Sequence, residues 1–465
     1  MSKSKKINRT LLAGVAALGM MAGPLGAWAE TLGDALASAY KNSGLLEQNR
    51  ATLRAADEGV ASALSALRPS LSYNYSLGTE NSPQTGNTWS DWSDTLSFIA
   101  SMDIYTFGRN KLSVDVQKEV VLATRAGLVN VEQTVLASAV DAYQGVREAQ
   151  ALVNLRDSAV RLNQQNLRAA QDRFEVGEIT RTEVAQYEAQ LASVRAALAS
   201  ARGTLSAARE TYKVAIGHYP NSLSSPPNIT LPAKSLESAV TIAKRSHPGI
   251  IGLQHQAAAQ DLAVEIAERN MLPTVSGTVQ EQFGDAFDTG TDGTSFGLSV
   301  SGPIYAGGSI SSAVRETIAN RDAARAELLQ TTREVEQGVR TNWAMLSVYA
   351  ASEQASNAYV QAQRVAYNGV KEEADLGAST TLDVLSAEQD LLDAQVSAIQ
   401  ARIARETQSY SVLQSLGMLT VESLKLNVPV YDPAAYYDAV KNAPTRYVSP
   451  QGEKLDRVLE GLLKK

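Results

Sequence analysis

The sequence predicts a mainly α fold with a small β part, internally duplicated. Long antiparallel α-helical coiled coils, which imply a rod or a tube, carry four short strands per chain in two hairpins. Three observations predict it. Motifs containing Pro, Gly and Tyr recur at a near-constant offset in the two halves. No Pro occurs between Arg109 and His218 or between Ile304 and Val428, and both stretches are rich in Ala, Leu, Gln, Glu and Arg, which favour helix. Short runs ahead of each stretch alternate apolar and polar residues with period two, the mark of strands with one apolar face.

Composition narrows the function classes. The 465-residue chain is 44% hydrophobic and 20% charged, which fits neither a disordered polyelectrolyte nor a multi-span helical membrane protein. Aromatics at 6% suit an Ala-rich helical assembly better than a compact globule. The absence of Cys excludes disulfides, thiolate metal sites, Cys nucleophiles and lipidation on an N-terminal Cys. Three His residues leave little material for His-based catalysis, and a formal charge of -7 gives no support to nucleic-acid binding. No catalytic residue, cofactor site or metal site is expected.

Residues 1–29 read as a secretory signal peptide. Lys3, Lys5, Lys6 and Arg9 precede an apolar run from Leu11 to Met21, and Ala27-Trp28-Ala29 places small residues where signal peptidase reads them. The run is too short for a membrane anchor, which needs about 20 apolar residues. Removal of four positive charges takes the formal charge from -7 to about -11. The mature chain is then periplasmic, secreted, or held in an outer membrane by strands.

The first repeat spans 30–219, a Pro-, Ser- and Asn-rich linker 220–235, the second repeat 236–428 and a tail 429–465. Leu67-Arg68-Pro69-Ser70-Leu71-Ser72 matches Met271-Leu272-Pro273-Thr274-Val275-Ser276, and Ile104-Tyr105 matches Ile304-Tyr305. Val176-Gly177 matches Leu376-Gly377, Glu183-Val184 matches Asp383-Val384, and Glu188 matches Glu388. Each repeat reads helix, strand pair, long helix, turn, long helix. Thr31 and Ser235 are candidate N-caps of the leading helices. Pro69 and Pro273 end them, because the residue before Pro avoids the helical region. A helix from Lys111 to Phe174 would be about 95 Å long, and Gly127 and Gly145 are candidate interruptions. Val184, Tyr187, Leu191, Val194, Leu198, Ala201, Leu205, Ala208, Tyr212 and Ala215 alternate steps of three and four, a coiled-coil seam.

The β-hairpins are placed at 70–107 and 274–305. Their strands approach ten residues, the length a tilted strand needs to cross a bilayer. Tyr73, Trp89, Trp92, Tyr105, Phe107, Phe283, Phe287 and Tyr305 cluster near strand ends, where a membrane interface favours amphipathic rings. Soluble hairpins packed on helices remain the alternative at this point. Four strands cannot close a membrane barrel, and open edges in lipid leave backbone groups unpaired. Copies must therefore pool strands. Three copies give twelve strands; counting alone also admits two or four.

This plan resembles the TolC-like outer-membrane efflux protein family from Thr31 to about Val428. Arg173-Phe174-Glu175-Val176-Gly177 with Thr182-Glu183-Val184, and Leu376-Gly377 with Thr381-Leu382-Asp383-Val384-Leu385, carry the resemblance. It is also present, more briefly, in the tail Val430-Tyr431-Asp432-Pro433 with Tyr436, similar to the subgroup that serves type I secretion. The resemblance implies a homotrimer: a barrel against outer-membrane lipid and a helical tunnel through the periplasm. It further implies a passive duct that serves a periplasmic adaptor and an inner-membrane ABC or RND transporter, in drug efflux or in protein export. Val176, Gly177, Leu376 and Gly377 would be the adaptor-docking tips, and Thr182, Glu183 and Asp383 the periplasmic aperture. Two family positions differ, since a second aperture Asp falls on Ser386 and a gating Arg on Ser379; Arg181 is a candidate substitute. Read without the resemblance, Gly177 and Gly377 are helix C-caps, and Glu183 and Asp383 are helix-start acids favoured by the macrodipole.

Other candidates are weak. His247 and His255 read as solvated surface, Gly307-Gly308 as a strand-to-helix turn, and Trp343 with Tyr143 as helix packing. A periplasmic coiled-coil scaffold or adaptor without a pore is the alternative function. An extracellular hydrolase lacks any nucleophile–base arrangement.

Overall fold

The computed structural model describes residues 29–79, 93–227, 229–284 and 292–441. Its first half contains α1 (Leu32–Asn42), α2 (Gly44–Ser65), β1 (Ser70–Gly78), β2 (Ser93–Tyr105), α3 (Arg109–Glu175) and α4 (Arg181–Ile216). The second half repeats the order with α5 (Leu236–Ser246), α6 (Pro248–Arg269), β3 (Thr274–Gly284), β4 (Gly293–Ser301), α7 (Ser309–Asp375) and α8 (Thr381–Ser415). A short α9 (Ala435–Val440) follows. Residues 1–28 of the expected signal segment, Trp89, Trp92 and Phe287 lie outside the described residues.

Three expectations need correction. The leading helix of each half is two helices. Ser43 restarts the first by accepting from the Leu46 amide at 3.3 Å. His247 restarts the second by accepting from the Gly249 amide at 3.2 Å, with Pro248 at the first helical position. Gly127 and Gly145 do not interrupt α3, which runs 67 residues without a break, as does α7. A helical Gly costs only about 1 kcal/mol relative to Ala, and α3 is held by packing against α2, α4, α6 and α8. His255 is not simply solvated: its Nδ1 lies 2.8 Å from Glu119 Oε2. His247 is half-buried, and burial holds its pKa below the ordinary value.

Thr31 and Ser235 cap α1 and α5 as expected, each within a reciprocal capping box. Helices α2 and α6 each end four residues before Pro69 and Pro273. The seam of α4 is also as expected. Leu191, Val194, Leu198, Leu205 and Tyr212 are buried, and the intervening seam residues are half-buried. At 1.5 Å per residue, α3 and α7 are each about 100 Å long.

The strands form one antiparallel sheet, ordered β1-β2-β3-β4. Its register places the apolar residues of neighbouring strands side by side. Tyr73 pairs with Phe98, Leu71 with Ala100, Ala100 with Val279, and Val279 with Phe296. The polar set aligns likewise on the other face, with Asn74 opposite Ser97, and Ser276 opposite Ser299, Ile99 being an apolar exception. Both β1 and β4 are edge strands, and their residues are exposed throughout. At each strand-to-helix junction the chain takes a left-handed turn, at Phe107-Gly108 and at Gly307-Gly308. Arg269 donates to the Phe107 carbonyl at 3.1 Å and steadies the first junction.

The main core lies where the short helices meet the long ones. Leu32, Leu36, Tyr40, Leu53, Leu136, Tyr143, Tyr212 and Leu419 are buried together there. Glu30 is stitched to the linker, its amide donating to Ser222 at 2.8 Å and its carbonyl accepting from the Ser224 amide at 3.0 Å. The buried Tyr143 hydroxyl donates to the carbonyls of Glu30 and Ser224 at 2.9 and 2.7 Å. In the tail, Tyr436 donates to Glu58 at 2.7 Å and docks α9 on α2.

Candidate functional site

Both helical hairpins turn by the same chemistry. Helix α3 closes with Gly177 donating to Phe174 O at 3.0 Å and Glu178 to Arg173 O at 2.9 Å. Helix α7 closes with Gly377 donating to Ala374 O at 3.0 Å and Ala378 to Glu373 O at 2.8 Å. These are Schellman caps, and they place the Gly residues at φ of +81° and +78°, a conformation that favours Gly. No neighbouring atom would meet a Cβ at either Gly, so conformation rather than space selects the residue. The capping residues Val176 and Leu376 are 72% and 86% exposed, which leaves one apolar side chain at each tip.

The return helices start on capping boxes. Glu183 Oε1 accepts from Thr180 N at 3.1 Å and from Thr180 Oγ1 at 3.0 Å. Asp383 Oδ2 accepts from Thr380 N at 2.9 Å and from Thr380 Oγ1 at 2.6 Å. The backbone bond from Thr180 leads in holding the Glu183 carboxyl below its ordinary pKa. The Thr380 hydroxyl leads for Asp383. The second Glu183 oxygen reaches the other hairpin and accepts from Thr381 Oγ1 at 3.1 Å. Glu183, Thr381 and Asp383 therefore lie at the adjacent starts of α4 and α8, with Thr182 exposed beside Glu183. Ser379, at the position where an Arg was expected, donates to Glu373 at 2.8 Å, and Arg181 is exposed.

Sequence reasoning passed over Thr180 and Thr380, and gave Thr381 no role of its own. The signal was present as Thr-x-x-Glu and Thr-x-x-Asp, the capping-box pattern. It also passed over Glu388, which is 2% exposed on α8 and takes hydrogen bonds from Asn163 and Asn166 of α3. Burial raises its pKa against the effect of those bonds. A groove of about 690 Å³ runs between the hairpins above the tips, lined by Arg173, Glu183, Tyr187, Tyr367, Lys371 and Thr380 among others.

At the opposite end, the expected interface aromatics fall at several levels. Tyr105 and Phe107 pack with ring centroids 4.7 Å apart where the sheet meets α3. Tyr305 is exposed beyond the end of β4. Phe283, near the far end of β3, meets Phe98 edge-on at 6.4 Å. Tyr73 stands mid-strand on β1 rather than at an end. Among the described residues no helix is long and apolar enough to cross a membrane.

Comparison with known proteins agrees with this geometry. The family model described as outer membrane efflux protein matches residues 35–218 and 241–418, one match per half. Outer membrane efflux protein BepC of Brucella suis biovar 1 (strain 1330) is 32% identical over 450 residues, 96% of each chain. The Campylobacter jejuni CmeC outer membrane channel superposes with a TM-score of 0.75 at 19% identity, covering 88% of this chain and 89% of that one. CusC gives 0.75 at 17% identity, covering 83% and 91%; these two likenesses bear on the fold. The chain thus belongs to the outer membrane efflux protein family, the TolC-like, non-enzymatic channels of tripartite efflux systems, with a periplasmic helical tunnel below the outer membrane.

Proposed function

We propose that three copies of this chain form one passive export duct. Their sheets join β1 to the next copy's β4, closing a twelve-stranded barrel against outer-membrane lipid. The observation that carries this is the sheet itself: it has one aligned apolar face and edge strands on both sides. Such edges are untenable in lipid unless another copy pairs with them. Export follows the signal segment at 1–29.

The tips at Val176-Gly177 and Leu376-Gly377 dock a periplasmic adaptor (membrane fusion) protein, through which an inner-membrane ABC or RND transporter supplies the energy. Exposed apolar side chains on rigid Schellman turns support that reading. Thr182, Glu183 and Asp383 form the periplasmic aperture, where a threefold axis would gather carboxylates of neighbouring copies into a ring. The cargo is either small toxic molecules or a secreted polypeptide. Photo-crosslinking in cells from residues 176 and 376 tests the docking role. Capture of an adaptor at both tips supports it, and capture only of other copies of this chain overturns it.

A further inference from the structure

A cavity of about 640 Å³ lies between α3, α4, α8 and the start of the linker. That size is in the range of small-molecule sites. Arg147 marks its level, 38 residues into α3, or about 57 Å from the sheet end of that helix at 1.5 Å per residue. The cavity therefore opens part-way down the periplasmic tunnel, far from both the barrel and the tips.

Its lining carries Arg147, Arg209 and Arg402 and, among the described residues, no carboxylate. The whole chain has a formal charge of -7, so the concentration of positive charge is local. Glu406, outside the lining, pairs with Arg147 and Arg402. Three guanidiniums against that one carboxylate leave a surplus of two positive charges. Ser225 Oγ accepts from Arg147 at 3.0 Å and from Arg402 at 3.3 Å. Glu406 and Ser225 thus hold two guanidiniums in place before any ligand arrives. Arg209 faces no such partner: it is exposed, with no ion pair or hydrogen bond among the described residues. The adjacent Glu210 is engaged by the Tyr219 hydroxyl at 3.0 Å. The cluster is not a by-product of the duplication either. The offset of 200 residues carries Arg147 and Arg209 onto Ser347 and Ser409.

We propose that this cavity binds a short peptide with free carboxylates, of the kind that crosslinks the cell-wall polymer. Guanidiniums match carboxylates in paired hydrogen bonds. The rest of the lining selects a peptide over a bare anion: the amides of Gln150 and Asn221 suit peptide groups, and Val146, Ile399 and Ile403 suit small apolar side chains. An exported chain whose helices cross the periplasm meets such peptides there. Binding would fix the duct in the wall at this height. The site is built by one chain, so it does not depend on the number of copies.

The test uses the full-length protein in detergent and a fluorescent stem peptide, L-Ala-γ-D-Glu-meso-diaminopimelate-D-Ala. Fluorescence anisotropy is expected to show saturable binding, weakened about tenfold or more by Arg209→Gln and by Arg402→Gln, the loss of a charged hydrogen bond. Arg202→Gln, the same charge change at the repeat equivalent of Arg402 and outside the cavity, is expected to bind like wild type. No saturable binding, equal weakening by Arg202→Gln, or equal binding of the fully amidated peptide overturns the site. Displacement by inorganic phosphate at matching concentration overturns the peptide as its ligand. Photo-crosslinking in cells from residue 209 gives a second readout: muropeptide adducts after lysozyme digestion support the proposal, and protein adducts alone overturn it. The Arg209 and Arg402 variants should assemble and conduct like wild type, so failure here leaves the duct standing.

Discussion

Glu183 Oε2 accepts a hydrogen bond from Thr381 Oγ1 at 3.1 Å, tying the first turn of α4 to the first turn of α8 across 198 residues of chain. The other oxygen of the same carboxylate is committed to the Thr180 cap. One side chain thus starts its own helix and holds a neighbouring one.

Thr381→Val removes the tie and leaves the Thr180–Glu183 cap in place. A net hydrogen bond contributes about 1 kcal/mol, roughly a fivefold change in a two-state ratio. The expected result is a higher closed-state conductance in planar bilayers, by a few-fold. Glu183→Ala, which also removes the carboxylate half of the Thr180 capping box, should raise it further, and Asp383→Ala should act through the carboxylate half of the α8 box alone. Wild-type conductance in all three variants would remove these residues from gating.

The same caps carry a pH signature. Glu183 and Asp383 have depressed pKa values. Their contribution is therefore complete above the usual carboxylate range and is lost as pH falls through the depressed values. Amide hydrogen exchange at 180–184 and 380–384 should accelerate below about pH 4, once intrinsic rates are corrected. Protection that stays constant down to pH 3 would show that the boxes do not hold the turns in solution.

Asp57 behaves oppositely. It is buried in α2, its carboxyl is pushed up to about 6 by desolvation, and Arg125, 4.0 Å away, offsets this only in part. A raised folded-state pKa makes the folded state bind the extra proton, so stability falls as pH rises from about 4 to about 6. Two pKa units correspond to roughly 3 kcal/mol. Asp57→Asn should raise the Tm of the purified protein at pH 7.5 and flatten its dependence between pH 4 and pH 7. A Tm that drops at pH 7.5 in this variant would show that the Arg125 pair outweighs burial.

The sheet faces give an asymmetric prediction. Leu298 lies on the apolar face of β4 and Ser299 on the polar one. Arg facing lipid near the bilayer centre costs about 2–4 kcal/mol. Leu298→Arg should sharply reduce heat-modifiable multimer in the outer membrane, and Ser299→Arg should leave it near wild type. The reverse order would place the polar face against lipid.

Much of this architecture was legible because it is periodic. The α4 seam, the strand alternation and the offset between halves are patterns that survive without knowledge of contacts. The Gly residues of the tips were legible too, since a left-handed C-cap leaves a residue-type signature. What escaped was set by which surface meets which. Glu188 and Glu388 occupy equivalent repeat positions, yet one is exposed and the other buried, because α8 sets Glu388 against Asn163 and Asn166 of α3. His255 read as a solvated surface residue, and the packing of α6 on α3 sets it against Glu119. Thr180 was overshadowed by Thr182, although only Thr180 stands three residues before the acid, the spacing a capping box needs.

The position of β1 and β4 at the sheet edges also has a genetic consequence in the proposed duct. A subunit with a damaged edge does not merely fail alone; it occupies a place in a shared wall and inactivates the sound subunits beside it. Mixed expression of intact and edge-defective alleles should therefore produce a dominant-negative phenotype, with activity falling more steeply than the proportion of intact gene product.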